Sequence, residues 1–165
     1  MFNIDDYIMY GMTGLCKVVD ITSEKFINGE QRKYYVLTPV YYGNTIIKTP
    51  VDNKKIPMRG IISECDLTSL INNMPNIDTL WIDNEKKRNE QFKIMLKTGQ
   101  CEELVKLIRV IYSNKEYTKS IGKKSHQADE NIMKEAERLL NEELSIVLDI
   151  SPDEVTSYIS SQMSQ

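Results

Sequence analysis

The first sixty residues alternate short apolar runs with turn signals, a pattern typical of β-strands. The runs are rich in Val, Ile, Tyr and Thr, which favour strands. They cover residues 7–11, 14–21, 33–40 and 44–51, with a shorter fifth run at 58–62. Asn28-Gly29 and Gly43-Asn44 stand between runs as turn dipeptides. The pattern predicts a small, strongly bent antiparallel sheet or half-barrel of the SH3/Tudor-like kind.

Beyond residue 62 the apolar positions recur at helical spacing. Ser63 and the acids that follow it have the form of an N-cap and first turn, which predicts a short helix to about residue 72. Gly99 predicts the end of a later helix, and Ser151, followed by a proline, predicts the start of the last one. Further helices are predicted over 83–97, 101–113, about 129–148 and about 151–163. The polar stretch 113–127 predicts a loop.

These two patterns predict an α+β protein with two modules. The β module is expected over residues 1–72, and the segment 73–80 is expected to be a linker. A C-terminal bundle of short helices is expected over residues 81–165. A sheet this small needs a helix or a partner to cover its faces and edges.

Charge is distributed unevenly along the chain. The formal net charge of −3 by itself argues against a nucleic-acid partner. Residues 81–124, however, hold eleven basic and six acidic side chains, whereas residues 125–165 hold two basic and nine acidic ones. Because phosphate binding depends on a local patch, any DNA contact is expected mostly within 81–124.

The sequence carries no recognisable motif for catalysis, a metal or a cofactor. Its single histidine, His126, lies in a polar stretch, and no P-loop, dinucleotide-binding, nucleophile-elbow or zinc-protease motif occurs. The three cysteines, Cys16, Cys65 and Cys101, are too widely spaced to predict a zinc site. We therefore expect no enzyme activity, no metal and no cofactor.

The chain also has no apolar run of the roughly 18 residues that span a membrane. Its first residues carry Asp5 and Asp6 where a signal peptide carries Lys or Arg. We therefore expect a cytoplasmic protein without a membrane partner.

The only tryptophan, Trp81, stands at the head of a highly charged segment. On a helix at about 100° per residue, it would project within about 20° of Phe92, which favours a place in the core. Lys86, Lys93 and Lys97 would form a second stripe about 120–140° away. The lysines fit a solvated helix face, but they also fit a surface that rests on phosphates beside an aromatic presented to bases. The residues alone leave both interpretations open.

Several motifs follow one another in a specific order along residues 3–148. In the β half they are Tyr10 to Gly14, Asn28 to Gln31, Tyr34 to Leu37, and Pro50 followed by 58–63. In the helical half they are Trp81, Phe92, 97–99, 107–112, 136–140 and 143–144. Their joint order resembles the CarD/CdnL family of bacterial transcription regulators, whose N-terminal module also occurs in transcription-repair coupling factors.

The resemblance implies a protein partner for the β module. Members of the family pair a sheet edge of this module with the RNA polymerase β subunit. The matching basic positions here are Lys25 and Lys48, and Ile27 is expected beside the same edge. A small antiparallel sheet with an exposed edge is physically suited to strand addition.

The resemblance also implies a DNA contact for the helical module. In the family this module rests on the minor groove at the upstream edge of the transcription bubble, largely independently of sequence. A tryptophan wedge there stabilises the open promoter complex. The DNA-binding residues implied here are Trp81, Lys86, Lys87, Arg88, Lys93, Lys97, Lys123 and Lys124.

The leading hypothesis is a monomeric, non-catalytic adaptor between RNA polymerase and promoter DNA, associated with the nucleoid through the polymerase. The alternative is a protein-only adaptor, whose helical module is a structural or dimerising cap with no DNA contact. A small-molecule-sensing or enzymatic domain has no supporting motif. Exposure of Trp81 favours the first hypothesis, and its full burial favours the second.

Overall fold

A computed structural model describes residues 1–163 and divides the chain after Ile61 into two compact units. The first, which we call the β unit, contains all the strands of the described residues. The second, the helical unit, begins at Ile62 and contains their α-helices. The predicted α+β class is confirmed, and residues 164 and 165 of the predicted helical module lie outside the described part.

Five antiparallel strands form the sheet of the β unit. They are β1 (Tyr7–Tyr10), β2 (Gly14–Lys25), β3 (Gln31–Pro39), β4 (Ile47–Pro50) and β5 (Met58–Gly60). Their spatial order is β4-β3-β2-β1-β5, so β4 and β5 are the two edges and the sheet is open. All five predicted strands are thereby confirmed, and β2 extends four residues beyond its predicted end at residue 21.

A tight turn joins β2 and β3, whose last pair is Lys25 opposite Gln31. The N–H of Gly29 donates to the carbonyl of Phe26 at 2.9 Å, and the N–H of Glu30 donates to the Asn28 side chain at 3.1 Å. Gly29 has a φ of 85°, a conformation that glycine adopts without steric cost. The predicted Asn-Gly turn is therefore confirmed.

The core of the β unit lies on one face of the sheet. Alternate residues of a strand share a face, and the main buried cluster follows this period, although Met9 and Leu15 on the other face are buried as well. The cluster consists of Ile8, Tyr10, Cys16, Val18, Tyr35 and Leu37. The N-terminal residue Phe2 packs against Tyr35 with ring centroids 5.7 Å apart, so the N-terminal segment helps to cover this face.

The helical unit contains five α-helices within the described residues. They are α1 (Glu64–Asn73), α2 (Glu85–Thr98), α3 (Cys101–Ser120), α4 (Gln127–Leu148) and α5 (Val155–Met163). The predicted caps are confirmed at Ser63, whose side chain accepts from the N–H of Asp66, and at the left-handed Gly99. Ser151 forms the predicted capping box with Glu154 before α5. No helix of residues 1–163 is both long and apolar enough to cross a membrane.

The predicted loop over 113–127 is wrong in its first part, because α3 continues to Ser120. The apolar stripe of α3 ends at Ile111, so the remaining turns bury little and leave no apolar periodicity in the sequence. Thr118 and Ser120 donate their hydroxyls to backbone carbonyls three residues earlier in the helix. The loop that follows spans only residues 121–126.

The predicted module boundary at residue 72 and the linker 73–80 also differ from the structure. The N–H of Ile62 donates to the fully buried carboxylate of Glu143 at 2.8 Å, which ties the start of the helical unit to α4. Leu67 in α1 and Met74 and Ile77 after it are buried. The unit therefore begins at Ile62. The segment 62–77 belongs to it because its apolar side chains are buried and the N–H of Ile62 is hydrogen-bonded to the Glu143 side chain.

The core of the helical unit is formed mainly by α3 and α4. Its buried residues recur three or four positions apart on each helix. They include Leu104, Leu107 and Ile111 of α3, and Ala136, Leu139, Leu140 and Leu144 of α4. The thiol of Cys101 donates to the side chain of Glu143 at 3.2 Å, so this buried group has a second hydrogen bond besides that from Ile62.

Candidate binding surfaces

The strand β4 is an edge with backbone groups directed away from the sheet. The N–H of Val51 donates to the carbonyl of Lys33 at 3.1 Å, so Val51 faces β3. Because backbone direction alternates along an antiparallel strand, Thr49 also faces β3, whereas Lys48 and Pro50 face outward. Proline is tolerated there because it has no N–H to donate. The open edge therefore offers the N–H and carbonyl of Lys48, whereas the carbonyl of Pro50 accepts the N–H of Asn53 at 3.0 Å.

The Lys48 side chain lies across the face of the sheet opposite the core. Its ammonium forms an ion pair with Glu24 of β2 and lies 5.2 Å from the centroid of the Tyr34 ring of β3. These three side chains come from three neighbouring strands. The Lys48 side chain is thus exposed, but its contacts with Glu24 and Tyr34 fix its position, and Glu24 partly neutralises its charge.

The other two predicted polymerase-binding residues lie at the β2–β3 hairpin turn. Lys25 is the last residue of β2, and Ile27 is fully exposed in the turn next to Phe26, which is also exposed. Ile27 was expected beside the sheet edge, and this placement is wrong. The pairing of β3 with β4 ends near Tyr34, so the hairpin extends beyond the β4 edge. Phe26 and Ile27 together form an exposed apolar patch at the turn, of which the sequence analysis named only Ile27.

Trp81 precedes helix α2 instead of lying on it. The helix begins at Glu85, after Asn84, whose side chain accepts from the N–H of Lys87 at 3.0 Å. The helical angle between Trp81 and Phe92 was used to predict a core position, and it assumed that both residues lie on one helix, which is wrong. The contact it suggested nevertheless forms, because the Trp81 and Phe92 rings meet edge to face with centroids 6.0 Å apart. The indole is half-buried, between the two predicted extremes.

Arg88 was expected to bind DNA, and this prediction is wrong. The side chain is only 2% exposed, and its Nε and Nη2 donate to the Asp129 carboxylate at 3.1 and 3.0 Å. Its Nη1 donates to the carbonyls of Ile82 at 3.0 Å and Asp83 at 3.3 Å. The guanidinium also lies 4.4 Å from the centroid of the Trp81 ring. Arg88 therefore fixes the segment before α2 and has no exposed group for a phosphate.

The remaining basic candidates are all exposed. They are Lys86, Lys87, Lys93 and Lys97 of α2, and Lys123 and Lys124 of the loop before α4. The His126 ring is 3.7 Å from the carboxylate of Glu85, which brings this loop beside the first turn of α2. The positive end of the α2 dipole lies in the same place. The structure thus brings the loop that carries Lys123 and Lys124 near the α2 start that carries Lys86 and Lys87. Lys93 and Lys97 lie about two and three turns further along α2.

An apolar groove of about 420 Å³ lies among helices α3, α4 and α5. Its lining includes Val105, Ile108 and Leu140, with Tyr112 and Glu137 also contributing. Burial raises the pKa of the Glu137 carboxyl, and the nearby charges of two lysines only partly oppose this shift. Within residues 1–163 no group of three or more His, Cys, Asp or Glu side chains is arranged to hold a metal ion.

Comparison with known families matches the β unit. Residues 2–62 match the CarD-like/TRCF RID domain, and the match ends where the helical unit begins. No curated protein is a significant match to the chain. The family match and the open five-stranded sheet agree with the resemblance seen in the sequence motifs. Residues 2–62 are therefore an RNA polymerase-interacting module of the CarD-like/TRCF RID family.

Proposed function

We propose that the chain is a transcription regulator that binds the RNA polymerase β subunit through the β4 edge. The family of residues 2–62 supports this partner, because RID domains interact with that subunit. The observation that carries the proposal is the outward direction of the backbone N–H and carbonyl of Lys48. A strand of the partner added at this edge would extend the sheet through main-chain hydrogen bonds.

Side chains near the edge would give the interaction its specificity. Lys48 can exchange Glu24 for a carboxylate of the partner at low cost, because exposed ion pairs contribute only about 0–1 kcal/mol. Phe26 and Ile27 offer an apolar contact at the hairpin turn, and Lys25 adds a charge beside them. Backbone pairing would thus provide affinity, while these side chains would select the partner strand.

Charge reversal tests the contribution of the basic side chains. Lys25→Glu and Lys48→Glu in the full chain are expected to weaken binding to the isolated β subunit, measured by calorimetry. Lys55→Glu is the matched control, because this lysine is exposed in the loop between β4 and β5. Circular dichroism should show that all three variants keep the fold. Unchanged affinity in both test variants would remove these side chains from the interface.

For the helical unit we propose contact with promoter DNA at the upstream edge of the transcription bubble, which would stabilise the open complex. The gathering of Lys86 and Lys87 with the loop 121–126 favours this function, because it provides a positive surface at a helix N-terminus. The half-exposed Trp81 precedes the same helix. Lysine contacts to phosphates carry no base information, so the proposed binding is largely independent of sequence.

A protein-only adaptor is the competing function for the helical unit. The contacts of Trp81 with Arg88 and Phe92 favour a structural role for the indole. The apolar groove among α3, α4 and α5 would give such an adaptor a surface for a protein. Absence of DNA binding by the full chain at low salt would favour this alternative.

A further inference from the structure

The apolar groove among α3, α4 and α5 has the size and composition of a small-ligand site. Its volume of about 420 Å³ is within the range of about 300–1,000 Å³ that is usual for such sites. What we call the apolar wall is formed by Met74, Val105, Ile108, Leu140 and Ile159. A wall of this kind accepts the apolar body of a ligand, and the few polar side chains of the groove decide which class of ligand fits.

Glu137 is a charged residue of the groove whose carboxyl lacks a partner. Among residues 1–163 this carboxyl accepts no hydrogen bond and forms no ion pair. Burial raises its pKa, and the charges of Lys115 and Lys134 only partly oppose this shift. Lys115 is itself paired with Glu130 at 3.3 Å. The groove therefore holds a carboxylate that burial penalises and that a bound cation would stabilise.

Arg109 also lines the groove, but its charge is compensated within the helical unit. Its guanidinium donates to the carbonyl of Met74, which is the C-cap residue of α1. A helix C-terminus carries partial negative charge, so it suits a guanidinium. The residues of α5 that line the groove are uncharged. The charge left without a partner in the groove is therefore the negative charge of Glu137.

The surroundings of Glu137 suit a group that donates several hydrogen bonds. Asn141 lies four residues further along α4, so the two side chains share one face of the helix. The Asn141 side chain likewise has no hydrogen-bond partner among the described residues 1–163. A carboxylate and an amide oxygen both accept hydrogen bonds, and an ammonium group has three to donate.

Tyr112 adds an aromatic ring at the same end of the groove. Helices α3 and α4 are joined by the short loop 121–126, so they run antiparallel. Of the residues that line the groove, Tyr112 on α3 and Glu137 on α4 are those nearest to this loop. Aromatic rings attract cations, so Tyr112 and Glu137 favour the same kind of ligand group.

We propose that the groove binds a small amphiphilic cation, whose primary ammonium group pairs with Glu137 and Asn141 and whose aromatic or branched body packs on the apolar wall. This ligand site goes beyond the polymerase and DNA contacts proposed above and does not depend on either. The Glu137 carboxylate disfavours an anion, and a neutral molecule of the same shape gains only the burial of its apolar body.

Three probes of similar shape and different charge test the ligand class. They are phenethylamine, phenethyl alcohol and phenylacetate, each titrated against the isotope-labelled full chain and followed by NMR. Ligands this small bind with a Kd on the order of 1 mM. Phenethylamine should shift the side-chain amide of Asn141 and bind at least about fivefold more tightly than phenethyl alcohol, because hydrogen bonds to a charged group are the stronger ones. Phenylacetate should bind more weakly than either.

Two results of this titration would contradict the ligand site. Equal affinity for phenethylamine and phenethyl alcohol, or shifts confined to residues outside the groove, would overturn the assigned pairing with Glu137. Absence of any shift at about 10 mM of each probe would overturn the ligand site and favour a protein as the occupant.

Two pairs of variants locate the site. Glu137→Gln keeps the shape of the side chain, and it should reduce the affinity for phenethylamine to that for phenethyl alcohol. Glu116→Gln is the matched control, because Glu116 is exposed on α3 and does not line the groove. Thr156→Trp places a large side chain in the groove and should abolish binding of both probes, whereas Ser157→Trp, at an exposed position outside the groove, should not. Equal phenethylamine affinity within either pair would overturn the site.

Sedimentation of the full chain separates a ligand site from a contact between two copies. The wild-type chain is expected to be monomeric both with and without phenethylamine. A dimer that is dissociated by Thr156→Trp and not by Ser157→Trp would make a second copy the occupant of the groove and overturn the proposal.

Discussion

The guanidinium of Arg88 lies 4.4 Å from the centroid of the Trp81 ring, while the same side chain pairs with Asp129. This arrangement explains why a lone tryptophan stands at the head of a charged segment. The indole shields a buried ion pair that connects α2 to α4. It does so without being fully buried itself, so part of the ring stays open to solvent.

Removal of the positive partner of this pair should strongly destabilise the chain. Arg88→Met would leave the Asp129 carboxylate buried without its counter-charge, which typically costs about 3–5 kcal/mol of unfolding free energy. Lys87→Met, at the exposed neighbouring position, should change it by no more than about 0.5 kcal/mol. Urea denaturation of both variants measures the difference. Equal stability of the two variants would show that the pair does not hold α2 and α4 together.

Truncation of the indole should have an intermediate cost. An edge-to-face ring pair contributes about 0.5–1.5 kcal/mol and a cation–π contact about 0.5–2 kcal/mol. Trp81→Ala loses both contacts, with Phe92 and with Arg88, and should lower the unfolding free energy by about 1–3 kcal/mol. This value lies between the change of about 0.5 kcal/mol that is usual for a surface substitution and the loss of about 3–5 kcal/mol that is usual when an aromatic core residue is truncated. A change below about 0.5 kcal/mol in denaturation would contradict the observed packing.

DNA binding by the helical unit should depend strongly on salt. With about three or four phosphate contacts, the slope of log K against log salt should be roughly −3 to −4. Reversing Lys86 and Lys87 together should bring this slope about two closer to zero. Lys134→Glu, at an exposed lysine of α4, is the matched control and should leave the slope unchanged. Fluorescence anisotropy with labelled duplexes gives these slopes, and a wild-type slope near zero would be incompatible with the proposed surface.

Glu137 should make stability depend on pH in a defined direction. Burial raises its folded-state pKa, so the folded chain keeps this proton at pH values where the unfolded chain has lost it. The unfolding free energy therefore falls as pH rises from the ordinary carboxyl pKa of about 4.3 to the raised value. Glu137→Gln removes this effect and should stabilise the chain at pH 7, with no gain below about pH 4.

Denaturation at pH 7 and below about pH 4 tests the predicted effect of Glu137→Gln. Glu116→Gln, at an exposed position of α3, is the control. A stabilisation by Glu137→Gln that is the same at both pH values would point to a cause other than the charge. Equal effects of the two substitutions would show that burial in the groove is not responsible.

Local signals predicted much of the fold. Ser63, Gly99 and Ser151 marked helix ends correctly, because capping depends on residues only a few positions apart. The end of α3 was missed because its last two turns bury little and leave no apolar period to detect. The start of the helical unit was missed because a bond between Ile62 and Glu143 joins residues 81 positions apart.

The candidate sites were likewise predictable where the signal came from residues close in sequence, and not where it depended on residues far apart. Lys48 could be assigned to the sheet from a motif, but the outward direction of its backbone required the register of β4 against β3. Arg88 was grouped with its exposed neighbours, because the sequence gives no sign of Asp129, 41 positions away. Tyr117 was not recognised as a helical residue, because the segment around it was expected to be a loop.

The open β4 edge is the central claim, and a backbone substitution tests it most directly. Lys48→Pro removes an N–H that faces away from β3, so the sheet keeps its own hydrogen bonds while the edge loses a donor. Lys48→Ala removes the same side chain and keeps the N–H. Calorimetric titration of the full chain with the RNA polymerase β subunit should show at least about tenfold weaker binding for Lys48→Pro than for Lys48→Ala. Equal affinity of the two variants, with circular dichroism showing both folded, would contradict strand addition at this edge.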